Sequence, residues 1–318
     1  MFEFFITRPL GYIIQFIYNL VQNYGWAIVI FTIVVKLLLL PLQFKSQKSM
    51  KKQQKIQPII ASLQQKYAND KEKLQTEMMK VYKENNVSMS GGCLPLLIQL
   101  PILFGFYQVI QKPMKYLLRL DFNSQAILDK VEAAYQRVVQ VLNPQTAEKC
   151  LEYMQRDDQI GFLRCITELS EKTGEFAEWV LNFNFLGLDL SRNPSASISA
   201  ISSGNFDNLS TMLLILIPVI AVFTTWLSTH LMQKMSGTNN SGAGESAQSM
   251  TKSMNLMMPI MTGIFTFTLP GAMGIYWIAS NIMQIVTQYM LNKFLENKED
   301  DFVVKVPEKN RNNRKKRK

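Results

Sequence analysis

Residues Tyr24 to Leu42 read YGWAIVIFTIVVKLLLLPL, and this stretch decides the fold class. As a helix it rises roughly 28 Å, close to the ~30 Å hydrocarbon thickness of a bilayer. It carries one charged residue, Lys36, and none of the polar face that a helix on a soluble core presents. Four further stretches share this character: about Gly92–Gln111, Met212–Leu231, Ser253–Leu269 and Ala272–Met290. Only Pro270-Gly271 separates the last two, which predicts a helical hairpin closed by a tight turn.

The 318 residues are 47% apolar and 18% charged, yet mean hydropathy is only +0.02. Such an average hides a division into greasy and polar blocks. It excludes a soluble enzyme, a disulfide-stapled secreted module and a disordered chain. Charge then orients the spans. Gln43–Ser90 holds ten Lys against four acids, and Pro113–Ser210 nine basic against thirteen acidic residues. Met232–Lys252 nets +1, Asn292–Lys318 nets +5, and the first 25 residues carry only Glu3 and Arg8. Five crossings place every positive block on one side, so the amino end lies outside and the carboxyl end in the cytoplasm.

The fold class expected is therefore an all-α membrane protein with five transmembrane helices, over 24–42, 91–112, 211–231, 253–270 and 271–291. Residues 1–23 form an interfacial amphipathic helix on the outside, because Leu10, Ile13, Ile14, Ile17 and Leu20, with Val21, recur at helical spacing. Residues 43–90 form a basic cytoplasmic helical hairpin. Met50, Ile56, Ile60, Leu63 and Tyr67 make one stripe and Leu74, Met78 and Val81/Tyr82 the other, with Asp70 as an N-cap between them. Residues 113–210 form an extracytoplasmic loop domain with one helix through Ile127, Val131, Val138, Val139 and Leu142 and one or two more over Cys150–Val180. Residues 232–252 are a flexible cytoplasmic loop and 292–318 a basic tail.

Several residues stand out chemically. Lys36 lies within the first span, where a cation costs roughly 2.5–3.5 kcal/mol on insertion scales. Either its ammonium snorkels toward the end near Leu42, or it stands in a polar cavity. Thr32 is one turn earlier on the same face. No span contains Asp or Glu to neutralise it. Trp277, Asn281, Gln284 and Gln288 line one face of the fifth span, and Gln99 adds an amide in the second. Such amides either bind helices together or line a wet cavity. Lys48, Lys51, Lys52 and Lys55 in the hairpin, and Arg314, Lys315, Lys316 and Arg317 in the tail, offer cations to acidic lipid or ribosomal RNA, or serve topology alone. Cys150 and Cys165 share an oxidising compartment, which leaves a disulfide open. A catalytic cysteine is not expected, since the one histidine, His230, lies toward the opposite side. No metal site, cofactor motif or P-loop occurs, and no nucleophile elbow or HExxH.

The order of a cation-bearing span, a Lys-rich hairpin and GGCLPLLIQLPILFGFYQ resembles the YidC/Oxa family of membrane protein insertases. QPIIASLQQKYANDKEKLQTEMMKVYKENNV and LPGAMGIYWIASNIMQIVTQ support the likeness, which covers about 7–112 and 211–295. The five-span form without a large external domain looks like the Gram-positive type. The resemblance implies a bacterial cell-membrane protein, not an enzyme, with a hydrophilic groove open to cytoplasm and lipid. Lys36 matches a position usually held by Arg, keeping the charge without the planar fork. Thr32 and Trp277 match groove positions that touch the substrate helix; Gln99 is a weaker match, and Asn281 and Gln284 extend the polar face. Partners implied are nascent membrane proteins and lipids, with a ribosome and the Sec translocon left open, and the chain is expected as a monomer. Two features depart from the family: no lipobox cysteine occurs near the amino end, and the external loop is long. The rival from another class is a small-solute or ion transporter using Lys36 as its site; no repeated halves with interrupted helices support it.

Overall fold

The computed structural model describes residues 3–87, 94–202, 209–235, 245–296 and 304. These are overwhelmingly helical, with one short β-hairpin that the all-helical expectation omits. Two compact units result. One comprises Met1–Val35, Gln99–Ala221 and Gly263–Ala279; the other comprises Lys36–Ile98, Val222–Thr262 and Ser280–Lys318.

In the first unit, α1 (Arg8–Val21) buries Leu10, Ile14, Ile17 and Tyr18. The stripe expected to face lipid therefore faces protein, and Leu20, expected within it, is 69% exposed. The helix is apolar on two sides: Tyr12, Phe16 and Leu20, spaced by four, form an exposed row alongside Phe4 and Phe5. Periodicity finds an apolar stripe but not which of two stripes meets the core. Helix α2 (Tyr24–Leu38) and α3 (Leu40–Lys66) meet at a 57° bend, so the apolar helix stops short of the expected Leu42. Pro41 accounts for it. Its missing N–H and its ring disfavour continuation, and it sits comfortably in the first turn of a new helix.

After α4 (Lys71–Glu84), α5 (Leu94–Gln111) and the single turn α6 (Pro113–Tyr116), the chain builds a small helical domain from α7 (Gln125–Val141), α8 (Pro144–Gln155) and α9 (Gln159–Thr173). Asn143 and Asp158 cap the last two by accepting from Thr146 N at 2.8 Å and Gly161 N at 2.9 Å. Ala134 and Val138 are the buried positions of α7, whereas Val139 is exposed. Cys150 and Cys165 are both free and buried, with one thiol hydrogen-bonded to the other, rather than joined in the disulfide left open above. That bond, with burial, holds the Cys150 thiol far above its ordinary range.

Residues 182–192 then perform a service that sequence does not reveal. They form β1 (Asn184–Phe185) and β2 (Leu188–Asp189), paired antiparallel around Leu186 and Gly187, both at positive φ. Their main chain supplies acceptors to the starts of two helices. Asn182 O accepts from Tyr24 N at 2.9 Å, at the head of α2. Arg192 O accepts from Gly271 N at 2.9 Å and Leu190 O from Ala272 N at 3.2 Å, at the head of α14 (Gly271–Glu296). The first N–H groups of a helix have no internal partner, so this irregular segment satisfies donors that would otherwise be stranded. Glycine makes the docking close: a Cβ on Gly25 would lie 2.3 Å from the Phe185 ring.

In the second unit, α3 and α4 pack as a hairpin, with Ile56, Ile60 and Leu63 against Val81, Tyr82 and Val87. Asp70 caps α4 by accepting from Lys73 N at 3.0 Å. Of the remaining helices, α10 (Ser195–Ser202) and α11 (Leu209–Leu213) belong to the first unit, whereas α12 (Leu216–Met235) and α13 (Glu245–Thr268) each have residues in both. Among the described residues, Leu209–Lys234 is long and apolar enough to cross a membrane alone. The bent α2–α3 pair passes the same test together, and Leu256–Thr268 is a shorter apolar helix.

Two measurements check this packing. Gly25→Ala should lower the unfolding temperature in detergent, by overpacking worth about 1–3 kcal/mol; adding Phe185→Ala should make the combined loss smaller than the sum of the two single losses. Thiol alkylation followed by peptide mass analysis should find Cys150 unlabelled in the folded protein at neutral pH and fully labelled after denaturation, because the protonated, buried thiol is a poor nucleophile.

Candidate functional site

The second unit holds the most unusual charge. Lys36, in the last turn of α2, is only 6% exposed, and its Nζ donates to Gln284 Oε1 on α14 at 3.3 Å. Its stated partner is thus a neutral amide, and among the described residues no ion pair involves it. A hydrogen bond to a charged group is worth about 1.5–3 kcal/mol. It holds the ammonium in place but leaves the full positive charge uncompensated. Two donor positions of the ammonium remain for other acceptors.

One turn from Gln284 on the same helix, Gln288 is buried. Gln284 and Gln288 with Ser228 form the polar part of a cleft of about 290 Å³ whose other walls include Leu231, Met232 and Met290. Asn281 is committed elsewhere. Its Nδ2 donates to Thr225 Oγ1 at 2.7 Å and Thr224 Oγ1 at 3.2 Å, tying α14 to α12. Of the two readings open for the polar stripe, Asn281 takes the role of binding helices together. Thr224, Thr225 and Ser228 were missed in the sequence. Their signal was a row of hydroxyls at helical spacing inside an apolar run.

The other expected site residues lie in the first unit. Thr32 is fully buried and its hydroxyl donates to Ile28 O at 2.7 Å, so the donor is spent on its own helix. Gln99 Nε2 donates to Tyr276 Oη at 3.0 Å, and Tyr276 packs on Phe106, which stacks on Phe31 at 4.5 Å between ring centres. Trp277 is half-buried and stacked on Phe265, 6.3 Å between centres. The structure therefore joins Lys36 with Gln284, and Gln99 with the unpredicted Tyr276.

The basic residues divide. Lys48 is exposed and Lys52 and Lys55 are half-buried, on α3. Lys51, expected to reach ribosome or lipid, is buried instead, and its Nζ donates to Asn292 O at 3.3 Å. A cation there meets the negative end of α14, which explains why this lysine turns inward. Arg314, Lys315, Lys316 and Arg317 lie outside the described residues, as does Cys93. Among the described residues, no cluster of His, Cys, Asp and Glu could hold a metal ion.

Comparison with known proteins finds relatives over most of the chain. The chain is 29% identical over 285 residues to a protein of Caldanaerobacter subterraneus subsp. tengcongensis named membrane protein insertase YidC, covering 90% of this chain and 93% of that one. A protein of the same name from Clostridium perfringens is 32% identical over 269 residues, covering 84% and 78%. A third, from Nitratidesulfovibrio vulgaris, is 48% identical over 106 residues, and there the chain spans only 20% of the relative's length. The family model described as 60Kd inner membrane protein matches residues 16–299, and with it the chain belongs to the YidC/Oxa family.

Proposed function

We propose that this protein is a membrane protein insertase that moves newly made membrane proteins from the cytoplasm into the lipid bilayer. The observation that carries the reading is the buried ammonium of Lys36, held by an amide and lacking a carboxylate counter-ion among the described residues. A structural lysine in an apolar helix would be expected to pair with an acid. A charge left uncompensated serves something that arrives. Relatives named as insertases, matched over most of both chains, support the same conclusion. They favour insertion over the transport of a small solute.

The mechanism makes and breaks no covalent bond. A client's polar external tail must cross about 30 Å of hydrocarbon, and the penalty comes from stripping water from its charges. Lys36 lowers that penalty for acidic residues by offering a charge already positioned within the layer, so little reorganisation is needed on arrival. The apolar segment of the client then moves into lipid, driven by burial of its hydrophobic surface. Half-buried Trp277 would also meet the client. Five spans, with the amino end outside and the carboxyl end in the cytoplasm, give this direction its sense. The exposed row Tyr12, Phe16 and Leu20 suits the interfacial layer of the bilayer, where aromatic side chains are favoured. Exposed Lys48 with Lys52, Lys55 and the basic tail would receive the client at the cytoplasmic side, beside acidic lipid or a ribosome. The insertase acts as a monomer, alone or beside the Sec translocon.

Reconstituted insertion of a client with an acidic external tail tests the charge. Lys36→Ala should slow it by about tenfold, the equivalent of ~1.4 kcal/mol, and Lys36→Arg should retain most of it. Gln284→Glu should also slow acidic clients, because a fixed carboxylate 3.3 Å from the ammonium would occupy it, while leaving thermal stability undiminished. Equal rates for wild type and Lys36→Ala would remove the charge from the mechanism.

A further inference from the structure

Gln288 has no role in the mechanism just described, yet its environment is exceptional. The side chain is 6% exposed, and its Nε2 has no hydrogen-bond partner among the described residues. Natural proteins rarely strand a buried donor, so each such group asks for an explanation. Packing alone does not supply one, since methionine or leucine would fill the same space without a polar atom to desolvate. Gln288 is one of the residues lining the cleft of Ser228, Gln284, Leu231, Met232 and Met290, and its nitrogen lies under that wall, so a change of side-chain rotamer brings it to a ligand there.

The chemistry of the ligand follows from the lining. An amide nitrogen is a pure donor, so the ligand must bring an oxygen acceptor. The rest of the wall is mostly apolar, with two flexible thioethers that adapt to side chains of different shape. An apolar segment that has not yet closed its helical hydrogen bonds has both features: hydrophobic side chains and main-chain carbonyls without partners. The neighbouring Lys36–Gln284 pair, one helical turn along α14, favours the same approach by adding a positive charge for acceptor oxygens. We infer that Gln288 is a client-binding residue, whose side-chain amide donates to a main-chain carbonyl of the inserting polypeptide while the cleft receives the adjacent apolar side chain. This rests on the proposed insertase function and adds to it a contact that is blind to the client's sequence, since every residue carries a carbonyl.

The test uses the full chain in proteoliposomes with a ribosome-stalled client and a photoreactive residue at Met232 or, separately, at Trp277. The Met232 probe should cross-link to the client. Gln288→Met should cut that yield by about threefold to tenfold, the equivalent of one net hydrogen bond. The same substitution should leave the unfolding temperature unchanged or raised, which a merely structural glutamine would not do. Gln288→Glu, which removes the donor while keeping the shape, should lose the cross-link as well. An undiminished Met232 cross-link in Gln288→Met overturns the inference, as does a Met232 probe that captures only phospholipid. If Trp277 captures the client and Met232 does not, this contact fails and the insertase reading stands. If neither captures it, both fail.

Discussion

A single ammonium inside an apolar helix constrains most of what surrounds it. Lys36 cannot be left in hydrocarbon without a partner, and the chain offers no acid within its apolar runs. The protein answers with Gln284, an acceptor that carries no charge of its own, at 3.3 Å. An aspartate would have held the lysine more tightly and cancelled it. An apolar residue would have made burial of the ammonium too costly. The amide sits between these extremes: it holds the charge without cancelling it.

In the first unit several polar groups are instead spent on protein partners. Thr32 spends its hydroxyl on Ile28, Gln99 its amide on Tyr276, and the 182–192 segment its carbonyls on the first turns of α2 and α14. Close contacts reinforce this. Gly25 admits Phe185, and a Cβ on Gly274 would lie 2.2 Å from Ile217. The small helical domain of α7, α8 and α9 contributes Val138, Cys150, Leu163 and Ile166 to the same continuous core as α1, α2 and α5. The long loop is thus a structural part of its unit and caps two of the unit's helices.

Much of this was readable beforehand, for identifiable reasons. The Asp70 cap, the stripes through Ile56 and Val81, and the turn at Pro270-Gly271 are local, and local rules of spacing and capping found them. Lys36 stood out because one charge in nineteen residues is visible without any neighbour. What escaped depended on distant partners. Lys51 looked like one more surface cation until Asn292 turned it inward, and the stripe through Leu10, Ile14 and Ile17 looked lipid-facing until it met the core. Ala134, which shares its row with Val138, is buried without having stood out, since a small residue gives a weak hydrophobic signal. The β-hairpin was too short to leave a pattern.

The sequence by itself determined the greasy and basic blocks, the cap at Asp70 and the break at Pro270-Gly271, and the family, because these depend on residue type and short-range spacing. Only the tertiary structure decided which face of α1 is covered, which amide holds the lysine, and which amide has no partner among the described residues. Those outcomes depend on pairs such as Lys36 and Gln284, 248 positions apart. Helical periodicity places a residue on a face of its own helix and contains nothing about what will meet that face.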